Sequence, residues 1–311
     1  MSDQTAGRTR AGFVAIVGAP NAGKSTLVNA LVGSKVSIVS PKVQTTRMRV
    51  IGIAMADLPE GERAQVVLVD TPGIFRIAKR RLERAMVAAA WQGAEDADVV
   101  ALVIDAERGV GEETRAIIER LKESKAPRYL VLNKIDLVPR EKLLTLTAEV
   151  NALLPFESVF MVSALKNDGV ADILKTVAAR LPAGPFLYPE DQAADLPLRL
   201  LAAEVTREQV FLQLHQELPY EAAVETEKWE ERKDGGVRIE QTIHVQREGQ
   251  RAIVLGKGGA KIKQIGARAR HELGQMLERP VHLFLHVKVS ERWAEDPSHY
   301  RTIGLEFEPK K

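Results

Sequence analysis

Apolar runs of strand length alternate with stretches of helical period through the first half of the chain. Phe13–Val17 is a run of the length a buried strand needs, and Leu27, Val28, Leu31 and Val32 follow it at helical spacing. Val50–Ala54 and Gln65–Val69 alternate on either side of the turn-like Asp57–Gly61, which predicts a hairpin. Val99–Ile104 is apolar throughout, as a strand covered on both faces should be. Glu112–Glu123 carries Ile117, Ile118 and Leu121 on one helical face, Tyr129–Leu132 and Ser158–Val162 predict two more strands, and Ile173–Leu181 predicts a closing helix. This alternation predicts an α/β domain with a mostly parallel sheet and helices on both faces.

The pattern changes after residue 182. Residues 182–197 are proline-rich and aperiodic and predict a semi-rigid linker. The division expected is therefore 1–182, a linker at 183–197, and a smaller α+β domain at 198–311. Leu198–Leu218 has helical spacing, Glu221–Trp229 and Val237–Val245 alternate around Asp234–Gly236 as a hairpin would, and Ala252–Leu255 leads into Gly256–Gly259. A helix to about Leu277 and a strand at Val281–Val289 complete the order helix, strand, strand, helix, glycine loop, helix, strand.

Chemistry enters at the end of the first strand. Gly18–Ser25 reads GAPNAGKS, the phosphate-binding pattern GxxxxGK[ST], and it has the strand before and helix after that the pattern requires. Its glycines let backbone N–H groups turn toward phosphate oxygens, and the helix N-terminus adds positive potential. Lys24 would reach the β- and γ-phosphates and the Ser25 hydroxyl would ligate Mg²⁺. A glycine-rich turn with a surface lysine is the plain alternative, which the flanking elements disfavour. Residues 33–48 lack periodicity, as a disordered or a working loop does, and end in Gln44-Thr-Thr-Arg47.

Three later strands also end in polar signatures. Asp70–Gly73 reads DTPG, where Asp70 can hold Mg²⁺ through water and Gly73 N–H can reach the γ-phosphate. Asn133–Asp136 reads NKID and Ser163–Leu165 reads SAL. Asp136 can accept both N1–H and the exocyclic amine of guanine, Asn133 can reach the base or brace the phosphate loop, Lys134 can cover the ring, and Ala164 N–H can bond O6. In this order they predict a guanine site. Ile74 stands where Ras-type switches carry a water-orienting Gln, so hydrolysis is expected to be slow. The basic Phe75–Arg81 is either a solvated loop or a nucleotide-sensitive surface.

The second glycine loop, Gly256–Gly259, lacks the GK[ST] ending. Between Arg251 and Arg270 lie Lys257, Lys261, Lys263 and Arg268, and no acidic residue. A side-chain-free turn ringed by positive charge suits an approach to a single-stranded nucleic-acid backbone, against the alternative of a tight helix–helix turn with a solvated basic face. The overall net charge is only +2, so such affinity must be local. His244, His282 and His286 have no carboxylate cluster at ligand spacing and read as surface or core residues. The 311 residues suit two domains. The chain has no cysteine, which rules out disulfides, thiolate zinc sites and a cysteine nucleophile and leaves the redox compartment undetermined. It has no signal-type start and no uncharged run near ~18 residues, from which a cytoplasmic location is expected.

The ordered set GAPNAGKS, QTTR, DTPG, NKID and SAL, followed by GKGG, resembles the bacterial Era GTPases from about Phe13 onward. The resemblance implies a P-loop G domain joined to a type II KH domain. It implies GTP/GDP and Mg²⁺ as ligands, binding to the 3′ end of 16S rRNA, and a role in maturing the 30S ribosomal subunit. It further implies a monomer and peripheral association with the inner membrane. Nucleotide contacts would then fall to Gly18, Ala19, Pro20, Asn21, Ala22, Gly23, Lys24, Ser25 and Thr26, to Asp70, Thr71, Pro72, Gly73 and Ile74, and to Asn133, Lys134, Asp136, Ser163, Ala164 and Leu165. Lys24, Thr46 and Gly73 would be catalytic. Ser25 with Thr46 (or Thr45) would ligate Mg²⁺, Asp70 would hold it through water, and Asn21 would help hold K⁺. RNA would meet Gly256, Lys257, Gly258, Gly259, Lys261, Lys263 and Arg268. The competing reading is an NTPase or nucleotide kinase without an RNA role, and the base-reading NKID and phosphate-sensing DTPG disfavour it. A tandem-G-domain GTPase is excluded by the single GxxxxGKS.

Overall fold

The computed structural model describes residues 9–42, 45–74, 81–214, 218–291, 293–297, 300 and 305–307. Gln44, residues 75–80 of the basic stretch after Gly73, the leader and the final three residues lie outside them. Two compact units emerge: residues 9–37 and 46–195 form one, and residues 38–45 with 196–307 form the other.

The first unit is an open twisted sheet. Its elements in order are β1 (Thr9–Val17), α1 (Lys24–Val32), β2 (Val50–Asp57), β3 (Arg63–Asp70), α2 (Arg81–Glu95), β4 (Val99–Asp105), α3 (Glu112–Leu121), β5 (Arg128–Asn133), α4 (Arg140–Leu153), β6 (Ser158–Val162) and α5 (Val170–Arg180). The strand order is β2-β3-β1-β4-β5-β6, with β2 antiparallel to β3 and every other pair parallel. Every residue of β4 is buried, which matches its unbroken apolar run. The chain leaves β1 for β3 on one side and then crosses to β4 on the other, so the order reverses at β1. A ligand crevice is expected beyond the C-terminal end of such a strand.

The two faces are packed separately. Leu27 and Val28 of α1 join Ile173 and Val177 of α5 in one core, and Ala90, Trp91, Ile117, Ile118, Leu146 and Val150 of α2, α3 and α4 form the other. Helices α2 and α4 are additions to the sequence-based expectation. The buried face of α2 mixes Leu82, Met86 and Trp91 with three alanines and a glycine, and the exposed Leu144 of α4 blurs its period.

The proline-rich stretch is a strap rather than a spacer over much of its length. Ile53 N–H donates to Ala193 O at 2.8 Å and Asp195 N–H to Ile51 O at 3.1 Å, so the strap extends the β2 edge. Gln65, fully buried in β3, stands in for a further strand. Its Oε1 accepts the N–H groups of Leu187 and Tyr188 (2.8 and 2.9 Å), and its Nε2 donates to Tyr188 O (2.8 Å).

The second unit contains α6 (Leu198–Gln213), β7 (Ala223–Glu231), β8 (Val237–Val245), α7 (Glu248–Leu255), α8 (Ala260–Met276) and β9 (Val281–Val289). The sheet order is β7-β8-β9, with the hairpin antiparallel and β9 parallel to β8. A parallel pairing needs a crossover, which α7 and α8 provide. Val210, Ile243, Val245, Val254 and Ile265 form part of its core. The α+β order is the one expected from the sequence, with α6 ending at Gln213 rather than Leu218.

Replacing Gln65 by Leu keeps the volume but leaves three strap backbone groups without their partner. A loss of about 2–4 kcal/mol in urea unfolding is expected. An unchanged midpoint would show that the strap does not depend on this amide.

Candidate functional site

The phosphate loop occupies the topological reversal at the end of β1. Gly18 and Gly23 have φ of 159° and 90°, and a Cβ on either would meet Val103 O at 2.4 Å or Asn133 Nδ2 at 2.3 Å. Neither position admits a side chain. Between them Asn21 holds a left-handed φ of 64°. Lys24 is 6% exposed and folds back over the loop, its Nζ donating to the carbonyls of Gly18 and Ala19 at 3.0 Å each. Burial pushes its ammonium down to about 8, against the pull of nearby Asp70. Ser25 and Thr26 sit in the first turn of α1.

DTPG is latched to this loop. Thr71 Oγ1 donates to Ile16 O at 2.7 Å, Ile74 N–H reaches Gly18 O at 3.3 Å, and a Cβ on Gly73 would lie 3.0 Å from Pro20. Pro72 and Ile74 are buried. Asp70 is fully buried; Ser37 Oγ donates to its Oδ2 at 2.7 Å, while Oδ1 has no partner. Burial pushes this carboxyl up, and Ser25, Ser37 and Lys24 counter it. Thr46 Oγ1 lies 2.7 Å from Ser25 Oγ. Thr45 Oγ1 instead donates to Lys42 O at 2.6 Å. Two adjacent hydroxyls above a buried carboxylate with an unsatisfied oxygen form a hard-oxygen donor set of the kind Mg²⁺ takes with phosphate.

The base-site loops are tied together by one amide. Asn133 Nδ2 donates to Ala22 O at 3.0 Å, and its Oδ1 accepts Lys134 N–H at 2.8 Å and Ala164 N–H at 3.0 Å. Here Asn133 braces the phosphate loop. The Ala164 N–H, expected to face guanine O6, is engaged with Asn133. Lys134 has φ of 65°, its stem passes close above Gly23, and its Nζ is fixed to Asp105 Oδ2 at 2.6 Å. Ser163 hydroxyl and then Lys166 hold the Asp136 carboxyl below the usual range. Ser163 pairs with Asp168 through backbone bonds in both directions, and Leu165 is 82% exposed.

Sequence reading missed Ser37, Asp105, Lys166 and Asp168. Asp105 at a strand end was the one visible signal, since β4 ends beside β5.

In the second unit, Gly256, Gly258 and Gly259 all have positive φ (71°, 59° and 78°). A Cβ on Gly256 would collide with Lys261 at 2.7 Å, whereas Gly258 and Gly259 face open space. Lys257, Lys263 and Arg268 are exposed, and Lys261, half-buried, reaches Gln264 at 3.2 Å. The loop is therefore accessible, left-handed and flanked by basic side chains. Among the described residues no three His, Asp or Glu gather as a metal cluster. His282 and His286 are exposed, and His244 Nδ1 lies 3.0 Å from Ser290 Oγ.

Comparison with known proteins covers both units of the chain. Residues 13–134 match the family model described as a 50S ribosome-binding GTPase, and residues 217–294 match a KH domain model. GTPase Era of Afipia carboxidovorans is 59% identical over 311 residues, covering 100% of this chain and 99% of the relative. GTPase Era of Sinorhizobium medicae is 59% identical over 299 residues, covering 96% and 94%. Among solved structures, Era in complex with MgGDPNP and nucleotides 1506–1542 of 16S ribosomal RNA superposes with a TM-score of 0.89 at 41% identity, covering 95% of this chain and 99% of that one. A variant of Aquifex aeolicus Era bound to GDP·AlF4⁻ gives 0.88 at 41%, with the same coverage. With identity at this level along its whole length, and with both glycine loops in place, the chain belongs to the Era GTPase family.

Proposed function

We propose that this chain is a slow, Mg²⁺-dependent GTP-hydrolysing switch whose output is binding to the 3′ end of 16S rRNA during assembly of the 30S subunit. The observation that carries the nucleotide half is the Asn133 amide, which joins the phosphate loop to the base loop and so makes one site of two motifs. The RNA half rests on the left-handed, basic-flanked Gly256–Gly259 loop and on the solved relative that carries 16S rRNA. Since 16S rRNA belongs to the small subunit, that subunit is favoured over the 50S named in the broader family description. The organisation proposed is a G domain at 1–182, a connector at 183–197 and an RNA-binding domain at 198–311.

In the bound state Lys24 would exchange its two carbonyl partners for phosphate oxygens, which are charged and stronger acceptors. Ser25 and Thr46 would hold Mg²⁺ directly and Asp70 through water, and Gly73 would offer its N–H to the γ-phosphate. Bound Mg²⁺ would neutralise charge on the β- and γ-oxygens. Asp136 would read the guanine edge, with Lys134 over the ring and Ser163–Leu165 closing the base site. Ile74 cannot orient water by hydrogen bonding, so turnover is slow. Asn21 would help hold a K⁺ that takes the place of an arginine finger. Action as a monomer and peripheral contact with the inner membrane complete the proposal. Among the described residues no helix is long and apolar enough to cross a membrane.

The cation claim is tested by GTPase rate in KCl against NaCl, with Asn21→Ala alongside. Faster turnover in KCl, abolished by the substitution, is expected. Equal wild-type rates would remove K⁺ and leave slow hydrolysis standing.

The output is tested on Lys257→Asp with Gly258→Asp, which takes away one positive charge and adds two negative ones. An RNA oligonucleotide carrying the 16S 3′ end should bind more than tenfold more weakly, a loss of roughly 1.4 kcal/mol or more. GTP affinity should be unchanged. Retained RNA binding by the folded double variant would reduce the loop to a solvated turn.

A further inference from the structure

A base site needs a cover for the face of the ring as well as acceptors for its edge. In the reading proposed above that cover is the stem of Lys134. A lysine stem can lie along an apolar surface, but its rotatable bonds leave the ammonium free to swing into water. In this chain the ammonium is tethered. Lys134 Nζ donates to Asp105 Oδ2 at 2.6 Å, and Lys134 Cε lies 3.9 Å from the point that a Cβ on Gly23 would occupy. The stem therefore runs from the end of β5 past the phosphate loop to the end of β4.

Asp105 is 6% exposed, and its own position is set by backbone. Strands β4 and β5 pair in a register that stands Asp105 opposite Asn133, and Ala106 N–H donates to Asn133 O at 2.9 Å. Asp105 Oδ1 accepts the N–H groups of Glu107 and Arg108 at 3.0 and 3.4 Å. The Asp105 carbonyl accepts Gly109 N–H at 2.9 Å, which closes the turn after β4. Arg108 Nε comes only within 3.6 Å of Oδ2, from an exposed side chain. The carboxylate thus divides its work: Oδ1 holds the turn and Oδ2 holds the lysine.

We infer that Asp105 is a positioning residue for guanine binding: by anchoring the Lys134 ammonium it lays the lysine stem across the base site, where the stem covers the ring. Ordering a lysine side chain costs conformational entropy, and a stem ordered by the protein itself spares the nucleotide that cost. Asp105 acts through Lys134 and touches no part of the nucleotide. The base is common to GTP and GDP, so the contribution is the same for both. The inference rests on the guanine-nucleotide reading proposed above.

The test is Asp105→Asn in the full chain, with Mg²⁺. Asparagine keeps the volume, and its carbonyl can still accept the two N–H groups of the turn, but its amide nitrogen cannot accept from an ammonium. Affinities for GDPNP and for GDP are expected to fall alike, by about fivefold. In GTP hydrolysis the loss should appear in KM, with kcat within about twofold of the parent. The decisive comparison adds Lys134→Ala: on that background Asp105→Asn should change either affinity by less than about twofold. A further loss of similar size in the double variant would mean that Asp105 only shapes the strand end, and would overturn the inference. Unchanged affinities in folded Asp105→Asn would overturn it too. If Asp105→Asn does not fold, Lys134→Met keeps the apolar stem without its anchor and should show the same loss for both nucleotides; unchanged affinities there would overturn the inference equally. A wild-type chain that preferred ATP, or bound neither nucleotide, would instead overturn the underlying guanine-nucleotide reading.

Discussion

The nucleotide site depends on the close approach of the Asn133 amide to the phosphate loop. A Cβ at Gly23 would come within 2.3 Å of Asn133 Nδ2, and that nitrogen already bonds Ala22 O. The same side chain receives Ala164 N–H. One buried amide therefore sets the spacing between the loop after β1, the end of β5 and the loop after β6. Buried polar groups of this kind are costly when half-satisfied and specifying when fully paired. The glycine is needed because the amide must come close, and the amide must come close because it joins three strand ends.

The two glycine loops use the same conformational freedom for different ends. Gly18 and Gly23 are pressed against backbone and side chain, so their lack of Cβ lets the loop close on itself and present its interior to phosphate. Gly258 and Gly259 face open space, so theirs lets another molecule's backbone come near. Potential follows shape. The first loop carries one buried lysine beside a buried aspartate, and the second is edged by exposed lysines and an arginine.

Much of this was legible in the sequence. The apolar runs ending in GAPNAGKS, DTPG, NKID and SAL placed four polar signatures at one sheet edge, and the second-unit element order was readable from alternation and the Asp234–Gly236 turn. What escaped had physical reasons. Helix α2 sets Leu82, Met86 and Trp91 among buried alanines and a glycine, which thins its apolar period, and Leu144 of α4 is apolar but exposed. Gln65 and the buried charges of α6 are polar residues at interior positions, and a hydrophobic pattern marks such residues as surface. Gln65, Arg207 and Glu208 bond backbone groups far along the chain, which no local spacing encodes, while the Glu204–Arg207 pair is a local one at i,i+3. Ser37 belongs to the same class: it is a single polar residue in the loop after α1, and its role exists only once β3 brings Asp70 beside it.

That the edge formed by these strands reads guanine is the central claim, and Asp136 bears it. A carboxylate has only acceptors for the two donors of the guanine edge, whereas an amide presents a donor that suits the 2-carbonyl of xanthine. The direct measurement is competition between GTP and XTP for the Asp136→Asn chain. Weakened GTP and strengthened XTP are expected; GTP winning by its original margin would contradict the assignment of the base site.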